Sequence, residues 1–457
     1  MNKLFISVLL IVIASCNQFK NDRPNIVFIM ADDMGYFDAE CYGGPIKTPN
    51  INNLANEGMR FTDFYSAAPN CSPARTGLLT GRTPSRVGVY DYLAPDSPMH
   101  LPESEITIAE MLKESGYETC HVGKWHLSTW TRNKMLGPNP DAQGFDYWFA
   151  VDNNAVPSHK DPINFERNGE MVGPLEGYSC DLVVEEAIHW LSDYRENGKP
   201  FYLNVWFNEP HAKIASPAKW IKQYEEYGKD AEYMANIANM DEAIGDLLNF
   251  LDERGLSKNT FVMFTSDNGP YRQASTGKFR GKKSFLYEGG IREPGIIKWP
   301  GKVKPGIESS IPVGFVDMMP TIAAITHSKS PSDRVLDGTN ILPVLLNQSF
   351  EREKPLFWFF YKRYPISALR YGDYIIMGNP KEVYIAPSHP FDSLDQSFFK
   401  TAALDEFQVY NLKNDPEQQH NLLLAEPNKF ESLKLELLKH HKDVVAEGKI
   451  WKGLPEN

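Results

Sequence analysis

Four short apolar runs, at 24–30, 117–122, 201–207 and 261–265, decide most of what this chain can fold into. Each reads as a buried strand, and each is followed at once by ionisable or amide residues: Asp32-Asp33, Lys124 and His126, Asn208 through His211, and Asp267-Asn268. Between the runs lie stretches of helical spacing at 49–58, 106–113, 182–194 and 233–254. Strands alternating with helices predict an α/β fold with a mostly parallel sheet flanked by helices. Ligands bind such sheets outside the carboxyl ends of the strands, so these four distant clusters are expected to converge.

The residue types at the strand ends suggest what they do there. Two adjacent carboxylates after a buried strand are costly without a cation, so Asp32 and Asp33 read as metal ligands, although one alone could cap a helix. Standing by itself, Asp267-Asn268-Gly269 reads as a simple turn. Lys124 and His126 lie two apart and point to the same side of an extended segment. Cys71-Ser72-Pro73-Ala74-Arg75 reads as a helix start, with Ser72 as cap and Pro73 in the first helical position. The helix dipole and Arg75 then favour an anionic atom at Cys71; the alternative is an ordinary buried thiol. The segment around Gly281-Lys282-Lys283 and 287–292 is basic and Gly-rich.

With 457 residues, 42% apolar and 23% charged, the chain has the material for a large core and more than one folded unit. A net charge of −12 argues against nucleic acid as a partner. An anionic substrate then requires a local basic cluster. The first fifteen residues have signal-peptide form. Ile13-Ala14-Ser15-Cys16 looks like a bacterial lipobox, which implies cleavage before Cys16, a lipid on its thiol and a tether over 16–23; a plain secretory signal is the alternative. The expected location is the periplasm or outer membrane, with the membrane reached only through that lipid. Of the remaining cysteines, Cys41, Cys120 and Cys180 can form at most one disulfide.

Cys71-x-Pro-x-Arg75 followed by Thr76-Gly77-x-x-x-Gly81-Arg82 resembles the signature of type I sulfatases, and the likeness runs from about Asn25 to Asn421-Leu422. The resemblance implies an alkaline-phosphatase-like fold and a Cys71 oxidised by a separate maturation enzyme to Cα-formylglycine (3-oxoalanine), whose hydrate is the nucleophile. Carried over position by position, it makes Asp32, Asp33, Asp267 and Asn268, with residue 71, the ligands of Ca²⁺, or of Mg²⁺. Arg75 would steady the hydrated aldehyde. Lys124, in Gly123-Lys124-Trp125-His126, would bind sulfate, and His126 would take a proton from the diol. His211 would contact the sulfate and protonate the leaving oxygen, and Lys283 would add positive charge. Ala212-Lys213 departs from the family's proline after this histidine. Lys282 stands where the family has glycine and competes with Lys283 for the lysine role.

The resemblance to arylsulfatase A and N-acetylgalactosamine-sulfate sulfatases, through 161–169 and 176–180, implies a sulfated galactose or N-acetylgalactosamine substrate. The runner-up readings are a phosphodiester or phosphonate ester hydrolase on the same fold, and a glycan-binding lipoprotein with a dead site. Residues 127–159, rich in Gly, Pro and Asn, read as a long surface excursion, where Trp148, Asn153, Asn154 and His159 are candidate sugar contacts. The catalytic unit is expected over 24–345. Residues 346–457 read as a smaller α+β unit with strands at 356–361, 367–377, 382–386 and 407–411 and a helix at 430–445.

Overall fold

The computed structural model describes residues 23–131, 134–384 and 390–455. The expected signal, the Cys16 lipid site and the tether up to residue 22 lie outside the described residues. Arg23 is already part of the fold, with its guanidinium 5.5 Å from the centre of the Tyr117 ring.

The large sheet is built on β1 (Asn25–Ala31), β2 (Met59–Tyr65), β3 (Glu118–Lys124), β4 (Tyr147–Val151), β5 (Phe201–Trp206), β6 (Thr260–Ser266) and β7 (Arg292–Lys298). Five of these lie side by side and parallel, in the order β6-β1-β5-β3-β4. β7 joins antiparallel to β6, and β2 antiparallel to β7. Short pieces extend both edges.

Strand alternation divides the core into two layers. Ile26, Phe28 and Met30 of β1 face one layer, together with the helices Cys71–Thr80, Ile108–Glu114 and Met318–Thr326. Val27, Ile29 and Ala31 face the other, with Pro49–Glu57, Ser179–His189 and Ala231–Glu253. Every residue of β1, β5 and β6 is buried. Each large apolar side chain so buried is worth about 1.5–3 kcal/mol. Cys120 and Cys180 are buried free thiols, and Cys41 is a half-buried one.

Three expectations are corrected. Residues 127–159 are not all surface: β4 lies within them, fully buried and parallel to β3. Its Tyr-Trp-Phe-Ala-Val run is short, and the Gly, Pro and Asn on either side mask it. Ser72 does not cap its helix. That helix starts at Cys71, Pro73 is its third residue, and the Ser72 hydroxyl accepts from the Leu93 N–H at 3.0 Å. In the second unit, 367–377 is two strands. The four-stranded antiparallel sheet runs β8 (Leu356–Phe359), β9 (Ser367–Tyr371), β10 (Tyr374–Pro380) and β11 (Leu404–Asn411) in sequence order. β9 turns into β10 at Gly372, whose φ of +58° suits glycine. Residues 382–384 are not strand, and 385–386 lie outside the described residues. An unanticipated helix, Ser393–Thr401, is closed at its start by a reciprocal Asp392–Asp395 capping box, and Glu431–Glu447 packs near β9 and β10.

Candidate active site

The parallel strands bring their carboxyl ends to one edge. Asp32 and Asp33 follow β1, Asp267 and Asn268 follow the adjacent β6, Lys124 ends β3 and His211 lies beyond β5. Backbone bonds fix the assembly: Asp267 N–H donates to the Ala31 carbonyl at 3.0 Å, and Asp32 N–H to the Glu209 carbonyl at 2.8 Å. Ligand atoms of Asp32, Asp33, Asp267 and Cys71 lie within 4.8 Å of one another, all buried. Cys71 Sγ is 3.5 Å from Asp32 Oδ1 and 3.9 Å from Asp33 Oδ1.

Around this centre stand three permanent cations. Lys124 Nζ donates to Asp32 Oδ2 at 2.7 Å. Lys283 Nζ donates to both Asp33 oxygens at 2.6 and 2.7 Å and lies 3.3 Å from Cys71 Sγ. Arg75 donates through Nε and Nη2 to Asp267 Oδ2 at 3.0 and 2.8 Å, and through Nη1 to the Lys124 carbonyl at 2.9 Å. Arg75 thus fixes Asp267 and the end of β3. Of the two lysines in register for the site, Lys283 occupies it, whereas Lys282 Nζ sits 4.9 Å from the centre of the Tyr271 ring.

The centre fits a hard divalent cation. Its donors are mostly oxygens. Asn268 donates through Nδ2 to Asp33 Oδ1 at 2.6 Å, while its own buried Oδ1 has no partner among the described residues, the kind of atom a cation would satisfy. Burial, then Asp32, pushes the Asp267 carboxyl up to about 6. Burial acts to raise Asp32 too, but Lys124, His211 and Arg75 outweigh it and hold that carboxyl well below its usual range.

Burial, reinforced by Asp267, raises the Cys71 thiol, which corrects the expectation that the helix start and Arg75 favour its anion. Burial, with the carboxylates beside the sulfur, outweighs the pull of Lys124 and Lys283.

The histidines have distinct settings. His126 Nε2 lies 3.0 Å from the Leu93 carbonyl, an acceptor only, so Nε2 carries the hydrogen. Nδ1 is then a bare, buried acceptor without a partner. Burial and Lys124 hold this ring well below its usual pKa. His211 Nε2 lies 3.6 Å from Asp33 Oδ2, and burial lowers its pKa as well. Asp33 at φ +64° and His126 at φ +53° are held in the left-handed region, which non-glycine residues rarely adopt.

A cavity of about 480 Å³ opens over Cys71, His126, His211 and Lys283, and Asn153 and Asn154 line it. Lys124 Nζ reaches Asn154 Oδ1 at 3.5 Å. A larger cavity, about 950 Å³ between Arg86, Asp337 and Glu447, contains none of the strand-end residues. His159 and Trp148 are not sugar contacts. His159 is 1% exposed, with Nδ1 3.6 Å from Glu209 Oε1 and 3.2 Å from Asn236 Nδ2. Trp148 is 1% exposed and packs on Trp130.

Tyr92, Tyr271, Phe285, Lys362 and Arg363 also line the cavity and were not anticipated. Lys362-Arg363 follow the apolar 356–361 run, the same strand-then-charge pattern that marks the other clusters. Glu209 was missed as a scaffold: its buried carboxylate accepts from the Ser179 hydroxyl and from the Cys180 and Asn208 N–H groups, tying the His211 loop down.

A profile of the Sulfatase family matches residues 24–328. The chain is 35% identical to the N-acetylgalactosamine-6-sulfatase of Rattus norvegicus, over 77% of this chain and 70% of that one. It is 33% identical to arylsulfatase A of Homo sapiens, over 93% and 89%. Its fold matches the crystal structure of Ps i-CgsB in complex with k-i-k-neocarrahexaose with a TM-score of 0.79 at 25% identity, covering 93% of this chain and 94% of that one. The chain therefore belongs to the type I sulfatase family and is a sulfuric ester hydrolase.

Proposed function

We propose that this enzyme removes sulfate from carbohydrate esters, with residue 71, oxidised to Cα-formylglycine by a maturation enzyme, as the source of the attacking hydroxyl. The observation that carries this reading is the meeting of residue 71 with Asp32, Asp33 and Asp267 beneath Lys124, Lys283, His126 and His211. A binding module has no use for a nucleophile so placed.

The charges support it. Asp32, Asp33 and Asp267 are balanced by Arg75, Lys124 and Lys283, so these side chains alone supply no net positive charge. Asp32, Asp33, Asp267, Asn268 and residue 71 would hold a calcium ion, or magnesium, which supplies the net positive charge that draws in a sulfate. Lys124 and Lys283 are placed to bind the non-bridging oxygens. His126 Nδ1, bare and facing no other donor, receives the proton that residue 71 gives up when sulfate departs. His211, at the cavity wall, delivers a proton to the leaving alcohol oxygen.

Galactose or N-acetylgalactosamine sulfates are the substrates we favour, supported by the name of the rat relative. We further propose export through the N-terminal signal and anchoring by a lipid on Cys16. The test is kinetic: the mature protein is assayed on aryl sulfate and aryl phosphate esters and on defined sulfated disaccharides. Hydrolysis of the sulfates is expected. A strong phosphate preference would sink the proposal.

A further inference from the structure

Beyond the catalytic residues, the rim of the cavity carries two cations that no carboxylate among the described residues neutralises. Lys282 and Arg363 have no carboxylate partner among the described residues, although the chain as a whole carries a net charge of −12. Their neighbours each have a carboxylate partner. Lys283 is held by Asp33 at 2.6 Å, and Lys362 by the buried Asp91 at 2.5 Å. Lys282 and Arg363 instead rest against rings. Lys282 Nζ lies 4.9 Å from the Tyr271 ring centre, and the Arg363 guanidinium 5.9 Å from that of Phe285. Arg363 is exposed and Lys282 half-buried, so both present their charge to the opening.

Tyr271 is itself 73% exposed, and with Tyr92 and Phe285 it gives the opening aromatic walls. Flat rings beside donors suit a sugar, whose faces are apolar and whose edges are polar. A cavity of about 480 Å³ is of the size that takes a ligand of drug-like dimensions, not a lone sulfate.

We infer that Lys282 and Arg363 form a subsite for a second anionic group on the substrate, so that the preferred substrate is a polyanionic glycan whose neighbouring position carries a carboxylate or another sulfate. The inference rests on the sulfatase reading above and adds to it the charge of the sugar beyond the scissile ester. Two unpaired cations in an acidic protein raise the local concentration of polyanions and order them relative to residue 71. Lys282 comes from the segment that also delivers Lys283, while Arg363 comes from the second unit, so the subsite is completed only when both units are folded together.

The test uses the mature full-length enzyme and three disaccharides with the same scissile sulfate ester. Their neighbouring sugars are neutral, uronate-bearing or carrying a second sulfate. The wild type is expected to prefer one or both dianions over the neutral-neighbour substrate in kcat/KM, chiefly through KM, with the preference fading as salt rises. Which dianion leads tells carboxylate from sulfate. Lys282→Ala and Arg363→Ala should each lower the ratio of dianion to monoanion kcat/KM by about fivefold, the size of an exposed ionic contact. Lys282→Arg should keep most of it. Equal kcat/KM on all three substrates, or a ratio that neither alanine variant moves, overturns the inference and leaves the sulfatase reading standing. Absence of turnover on every sulfate ester overturns both.

Discussion

At the scale of single residues, the site is a set of buried charges that only make sense together. Removing Arg75 strands Asp267, and leaving a buried charge without its partner costs about 3–5 kcal/mol. Arg75→Ala should therefore lower stability by that amount, read from denaturant unfolding, and abolish turnover as well. His126→Ala, which leaves the charges in place, should keep stability within about 1 kcal/mol while cutting kcat at least a hundredfold. Equal loss of stability in the two variants would contradict the division of roles.

A third residue tests linkage. Asp38 accepts from the Gly35 N–H and the Tyr233 hydroxyl, both at 2.7 Å, yet burial pushes its carboxyl up to about 6. Its unfolded value is about 3.9, so between pH 4 and 6 the native state holds a proton that the unfolded chain has released. Stability contributed there is present at low pH and lost as pH rises through 6. Asp38→Asn should flatten the stability profile in that window by up to about 1.4 kcal/mol per pH unit. An unchanged slope would refute the assignment.

At the scale of elements, the sequence was most readable where strand and function coincide. β1, β3, β5 and β6 each show an apolar run that stops at a charged or amide residue, and the parallel register does the rest. Less was legible where composition misled. β4 is hidden among loop-forming residues, so the last parallel strand was read as surface. Ser72 matched a capping rule, but its hydroxyl is claimed by Leu93, a tertiary contact no local rule contains. Arg75 interacts with residue 71, and its long side chain also reaches Asp267, a partner brought close only by the sheet.

One glycine carries an element-scale prediction. Gly123, at φ +102°, lies where a Cβ would sit 1.9 Å from the Trp206 carbonyl oxygen. Gly123→Ala must push β3 from β5, and Lys124 and His126 move with it. A hundredfold or greater fall in kcat/KM is expected, with a clear drop in melting temperature. Wild-type kinetics would show that the close approach is not needed.

At the scale of the whole molecule, the two sheets are joined by buried ions. Arg370 of β9 donates to Asp63 Oδ2 at 2.6 Å and to the Tyr65 hydroxyl, both on β2, and Arg292 of β7 pairs with Asp63 and Glu288. Trp358 donates through Nε1 to the Ser66 carbonyl at 2.8 Å. At the other end of the contact, Glu447 bridges Arg82 and Arg86. This joint places Lys362 and Arg363 over the cavity. Its existence was not legible in the sequence, because ion pairs between residues three hundred positions apart leave no local pattern. Arg370→Ala should destabilise the protein by about 3–5 kcal/mol, with both units still melting in one transition. Two separated transitions in the wild type would contradict the coupling.

On the proposed function, everything at the sheet edge serves an oxidised residue 71. Mass spectrometry of the peptide spanning that residue, taken from preparations of graded specific activity, tests it most directly. Turnover of an aryl sulfate should rise in proportion to the fraction of residue 71 present as aldehyde, and should vanish in Cys71→Ala. Full activity from material whose residue 71 is wholly thiol would contradict the account.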